Sequence, residues 1–157
     1  MKKALKKVLW FLVFAFIVIQ FFHPEKNIST EILATDISKN YSVPADVQVI
    51  LSKACYDCHS NNTRYPWYNN IQPVTWWLNS HIKEAKEGLN FSEFTKMPLD
   101  KQSKRMQQCI NLVKKNAMPL SSYTLIHKDA ILTDAEKETF YNWCNAVKDS
   151  IKAKTLK

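Results

Sequence analysis

Cys55-Tyr56-Asp57-Cys58-His59 is the densest group of chemically competent side chains in this sequence. At i, i+3 and i+4, two thiols and an imidazole share one face of a helical turn and can address one flat macrocycle together. The chemistry that suits this spacing is c-type haem attachment: the thiols add to the two vinyl groups as thioethers, and His59 reaches the iron from the proximal side. Three rival readings are weaker. A zinc site needs four ligands, whereas Cys109 and Cys144 lie far off in the chain and offer no second close-spaced pair. A dithiol oxidoreductase places its Cys-x-x-Cys at the start of a helix in a βαβ setting, and the flanking sequence does not read that way. A merely structural Cys55–Cys58 disulfide is weaker still.

Iron has a second axial position. Met118-Pro119 is the leading candidate, because proline fixes the chain beyond the methionine and an inter-helix loop lets the thioether point inward; a Met/His pair suits electron transfer. Met97-Pro98 repeats the dipeptide and is the backup, while Met106 sits on a helical stripe and reads as core filling. His81, on an apolar helical face, reads as a core or propionate-contacting histidine before it reads as a ligand. His127 precedes the last helix and suits a hydrogen bond to a propionate or to the Met118 loop; His23 lies outside the site. Cys109 and Cys144 fall on the buried stripes of two helices, where a disulfide and two apolar-packed thiols are both open.

These residues must be positioned by a chain of 157 residues, long enough for one core of ordinary domain size. A single glycine, Gly88, excludes phosphate-cradling loops and argues against a barrel or sandwich full of tight primed turns. The expected class is all-α. Pro44 opens a helix carrying Val47, Ile50 and Leu51 toward Cys55. Val74, Trp77, Leu78, His81, Ile82 and Ala85 form an apolar stripe ending near Gly88. Met106, Cys109, Ile110 and Val113 mark a third helix. Thr133-Asp134-Ala135-Glu136 is a capping box, opening a helix whose buried face is Phe140, Trp143, Cys144, Val147 and Ile151.

The N-terminus carries a different signal. Lys2, Lys3, Lys6 and Lys7 precede the apolar run Val8–Phe22, which reads as an uncleaved anchor in preference to a cleaved signal, since no A-x-A pattern follows it. The lysines would then stay in the cytoplasm and the rest be exported. The expected organisation is an anchor or signal segment over 1–23, a linker over 24–42, a haem-binding domain over 43–150 and a basic tail over 151–157. The 22 Lys and Arg against 14 Asp and Glu give a net charge of +8. Half of that excess lies ahead of the apolar run and the rest is spread out, which reads as a solvated basic surface and not as a nucleic-acid site.

The run Cys55-Tyr56-Asp57-Cys58-His59-Ser60-Asn61-Asn62-Thr63-Arg64-Tyr65-Pro66-Trp67-Tyr68 resembles the haem-binding domain family, small membrane-anchored, cytochrome-c-like bacterial proteins with a CxxCHSN…YPWY motif. Ile71-Gln72-Pro73, Trp76-Trp77, Asn90-Phe91-Ser92, Met118-Pro119, Tyr123, His127 and Trp143 continue the resemblance, which covers about residues 42–147. Where many members carry a second proline after the methionine, this chain has Leu120. The resemblance implies a cytochrome-c-like helical haem domain facing the periplasm, with His59 proximal. It implies no substrate. Beside it, Trp67, Tyr68, Trp76, Trp77 and Leu78 offer walls for an apolar disc, although core packing explains aromatics equally well. Arg64 offers a planar fork for a propionate, against the plainer reading of a solvated loop arginine.

The expected function is that of a single-pass inner-membrane protein holding one haem c in the periplasm and passing single electrons to a redox partner protein. A haem peroxidase or haem-based sensor with an open distal site is the alternative.

Overall fold

The computed structural model describes residues 2–156; Met1 and Lys157, the first residue of the expected anchor and the last of the expected tail, lie outside the described residues. The architecture is all-α, with no strand among the described residues. Its helices are α1 (Lys2–Ile19), α2 (Ile37–Asn40), α3 (Ala45–Ala54), α4 (Tyr56–His59), α5 (Val74–Gly88), α6 (Leu99–Lys114), α7 (Ser121–Thr124) and α8 (Asp134–Thr155). Short 3-10 turns at Trp67–Asn70, Phe91–Lys96 and Lys128–Ala130 join them.

The core forms where α6 lies along α8, the most extensive helix pair. α8 begins at the capping box, with the Thr133 hydroxyl accepting from the Glu136 N–H and the Glu136 carboxylate accepting from the Thr133 N–H. All five residues expected on its inner face are buried, joined by Tyr141. α6 supplies Met106, Ile110 and Val113, and α3 supplies Val47, Ile50 and Leu51. Each large apolar side chain moved from water into this core contributes about 1.5–3 kcal/mol. α3 is fastened to the start of α8 by Lys53, whose ammonium meets Glu136 at 2.6 Å.

Residues 24–42 lie against the domain. Ile37 is fully buried and Tyr41 nearly so, with the Tyr41 hydroxyl donating to Gln102 Oε1 at 2.6 Å. α8 continues through Thr155 and buries Ile151, so the basic tail is largely helical.

The N-terminal span requires a correction. α1 has 18 residues, roughly 27 Å of helix, and four lysines fall in its first six positions. Its uncharged stretch starts only at Val8. No helix among the described residues is long and apolar enough to cross a membrane.

Candidate functional site

Only Thr75 and Ile82 of α5 are buried, although its apolar stripe is continuous. The stripe instead borders a cavity of about 460 Å³ between α5, α6 and the Cys55–His59 turn. His81, Ala85 and Gly88 line it from α5, Arg105, Cys109 and Leu112 from α6, Cys55 and His59 from the turn, and Met118, Pro119 and Leu120 from the loop after α6. Phe91 and Phe140 complete its apolar wall. A Cβ placed on Gly88 would meet nothing within 4 Å, so open space adjoins this side of α5.

Cys55 is the joint that makes the turn. Its N–H donates to the Leu51 carbonyl at 2.9 Å, closing α3, and its own carbonyl accepts from the His59 N–H at 2.9 Å, opening α4. One turn on, the imidazole of His59 is held by Nδ1, which lies 3.1 Å from the Ala85 carbonyl and 2.9 Å from the Leu89 carbonyl. Carbonyls only accept, so Nδ1 carries the proton and Nε2 keeps its lone pair. Burial pushes the His59 pKa down, against the two carbonyl bonds that favour the charged form. A neutral imidazole with one nitrogen fixed by backbone and the other free is the arrangement found in metal-ligating histidines.

Met118 reaches the same cavity through the way α6 ends. Asn116 adopts the left-handed conformation (φ 52°), and its N–H donates to the Val113 carbonyl while the Ala117 N–H donates to Leu112. This is a Schellman closure, with asparagine in the position glycine usually takes. It folds the chain back, leaving Met118 half-buried at the cavity wall.

All four cysteines are free thiols, including Cys109 and Cys144, for which the sequence left a disulfide open. Burial raises every one: Cys58 to about 11 and Cys109 to about 12, with Cys55 and Cys144 higher. Redox-active Cys-x-x-Cys pairs need the opposite shift, which disfavours the oxidoreductase reading.

Cys58, Arg64, Trp67, Tyr68 and Trp77 do not line the cavity. Arg64 turns to Asp57, with Nε 3.0 Å from Oδ1, and donates to the Ser52 carbonyl, so its fork is already occupied. Trp67 is exposed, and Tyr68 donates to or accepts from His127 Nε2 at 3.0 Å. Trp77 is half-exposed on α5, its ring 4.2 Å from that of His81. Of the reserve ligands, His81 lines the cavity and Met97 packs against the core. Arg105 and Gln108 went unsingled in the sequence; both line the cavity, and Arg105 donates to Gln108 Oε1 at 2.7 Å. Arg105 stands four residues before Cys109, on the same face of α6, and that spacing was the available signal. Among the described residues no three His, Cys, Asp or Glu side chains converge as a metal site.

Largely apolar walls, the backbone-held imidazole of His59 and the soft thioether of Met118 suit a flat apolar group with a metal at its centre, and they define a helical prosthetic-group-binding domain. The family model described as the haem-binding domain matches residues 14–146, and the chain belongs to that family. Its prosthetic group is haem. No curated protein and no solved structure matches the chain.

Proposed function

We propose that this protein is a mono-haem c-type electron carrier with its haem domain in the periplasm, held at the bacterial inner membrane by insertion of the apolar part of α1, without that helix having to cross the bilayer. The observation that carries the reading is His59, whose Nδ1 is taken by two backbone carbonyls while Met118 borders the same cavity. Nε2 of His59 and the thioether of Met118 are the donors that would hold a haem iron, and haem so held would supply a one-electron couple whose potential a methionine ligand raises.

The remaining residues hold and shield that group. Cys55 at the cavity wall and Cys58, which lies outside its lining, would hold the haem through thioether bonds, each thiol's sulfur going to one vinyl carbon and its hydrogen to the other. Phe91, Phe140, Leu112 and Leu120 keep water from the ring. Arg105 has no carboxylate partner among the described residues and takes the propionate role that Arg64, engaged by Asp57, does not fill. Leu112 and Leu120 are partly exposed at the cavity and offer a redox partner protein its approach to the ring edge.

The test is the intact mass and spectrum of chain made with a cytochrome maturation system. The expected result is a mass increase of one haem that survives denaturation, with a low-spin six-coordinate spectrum indifferent to carbon monoxide. A bare-polypeptide mass with extractable haem would overturn covalent attachment, and a five-coordinate haem that binds carbon monoxide would favour the peroxidase or sensor.

A further inference from the structure

α1 is apolar around its whole circumference beyond the lysines, yet none of its residues is buried: Trp10, Phe11 and Phe14 are 72, 68 and 66% exposed. Such a helix needs a cover. Its far end is not loose. The Gln72 N–H donates to Gln20 Oε1 at 2.9 Å, and Gln20 Nε2 returns a bond to the Gln72 carbonyl at 3.3 Å. The Phe22 carbonyl accepts from Gln72 Nε2 at 2.6 Å and from the Trp76 indole N–H at 2.9 Å. Gln72 is fully buried in this lock. Five residues on, the chain is fastened again, with the Asn27 amide donating to the Ser60 carbonyl at 2.8 Å and its N–H donating to Tyr65 Oη at 2.8 Å. That spacing leaves no slack for a swinging tether. Around the lock, Phe21, Phe22, Ile71 and Trp76 are all exposed.

We propose that Phe21, Phe22, Ile71 and Trp76 form a collar that seats the domain directly on the headgroup layer of a lipid bilayer into which α1 inserts, holding the domain in one orientation. The proposal rests on the membrane attachment stated above and adds the contact surface and the fixed pose. Lipid is the occupant because it covers all sides of a helix, whereas a second copy covers a stripe. Exposed apolar and aromatic side chains at the foot of an inserted helix suit the boundary between headgroups and acyl chains, and the four lysines at the other end of α1 suit anionic headgroups.

The experiment incorporates a photo-crosslinking phenylalanine analogue into the full chain at Trp10, Ile71, Trp76 or, as comparator, exposed Val49, on vesicles of phosphatidylethanolamine and phosphatidylglycerol. Lipid adducts are expected from positions 10, 71 and 76, several-fold above position 49. Adducts from position 10 alone would overturn the seated pose while leaving attachment standing. Chain-to-chain adducts from position 10 without lipid adducts would overturn both, assigning the cover of α1 to a second copy. Gln20→Ala, at a partly exposed position, removes the reciprocal bonds without opening the core. It should lower the adduct yield at position 71 several-fold and leave position 10 unchanged; equal yields would overturn the lock.

Discussion

The two sides of the Cys55–His59 turn are built on opposite plans. On one side Cys55 and His59 face a largely apolar cavity, into which the backbone-held imidazole of His59 projects and which His81, Glu84, Arg105 and Gln108 also border. On the other, buried Asp57 accepts four bonds: from the Arg64 N–H at 3.2 Å, Arg64 Nε at 3.0 Å, Arg64 Nη2 at 3.3 Å and Tyr123 Oη at 2.7 Å. The network runs on through Tyr123, whose ring stacks on His127 at 4.3 Å, to the Tyr68 hydroxyl. Residues two apart on a helix point away from each other, so one turn serves both. In the proposed reading the apolar side holds the haem and the polar side positions it. Tyr123 lies five residues beyond Met118, and its bond to Asp57 therefore ties the Cys55–His59 turn to the segment carrying Met118. Burial, followed by the hydrogen bond to Asp57, holds the Tyr123 hydroxyl above its usual pKa, so it remains a donor.

Substitutions on the cavity side test the ligand-holding half and carry the largest effects. His59→Ala removes the only proximal donor, and haem retained per chain should fall on the order of tenfold or more, given that losing even an outer-shell partner of a metal histidine costs 10–100-fold; in-gel haem staining against total protein measures it. Met118→Ala should keep haem but convert it to a weakly ligated or high-spin state that binds carbon monoxide. An unchanged spectrum would move the sixth ligand to another donor, with His81, an imidazole that borders the cavity, tested first. Arg105→Gln removes a positive charge that favours the reduced, more electron-rich form. The potential should drop by tens of millivolts, where about 59 mV is tenfold in a one-electron equilibrium; an unmoved midpoint in a redox titration would place the propionates elsewhere.

On the polar side the effects should be on stability and smaller. Asp57→Asn keeps the shape but loses the charge that strengthens its bonds, and should cost about 1–3 kcal/mol in urea unfolding. Most of that belongs to Tyr123 and the backbone N–H, because the Arg64 side chain is 61% exposed and its pair is screened. The haem stain should stay near the parent's. If it instead fell as far as in His59→Ala, the division of the turn into ligand-holding and positioning faces would be wrong.

The cavity side was far more legible in the sequence than the polar side. Cys55 and His59 lie four residues apart in one short motif, and Met118-Pro119 follows a helix whose stripe is readable, so short-range spacing suffices. The α8 inner face and its capping box were legible for the same reason. The Asp57 network was not, because its partners lie 7 and 66 residues away and only the fold brings them together. That separation also misdirected Arg64, which a loop arginine's type alone suggested for a propionate. The stripe on α5 shows a third limit: periodicity marks an apolar face but not whether it meets a core or borders a cavity, so Trp77 was read as a wall and stands half-exposed beside His81. Arg105 was hidden by the same ambiguity in the rotation of α6.

The outer end of the polar side sets the lower bound of the comparison. The Tyr68 hydroxyl and His127 Nε2 meet at 3.0 Å, and neither residue is fully buried. Burial raises the Tyr68 pKa, so the phenol keeps its proton in this bond. Tyr68→Phe deletes the bond and leaves His127 stacked on Tyr123, with water able to replace it. The expected cost is about 0.5–1.5 kcal/mol, read as a small drop in the urea midpoint at unchanged slope. Because Tyr68 does not line the cavity, the haem spectrum and the carbon monoxide response should match the parent's. A spectrum that shifted as it does in Met118→Ala would mean that the network's far end already controls the distal loop, and that positioning reaches beyond Asp57 and Tyr123.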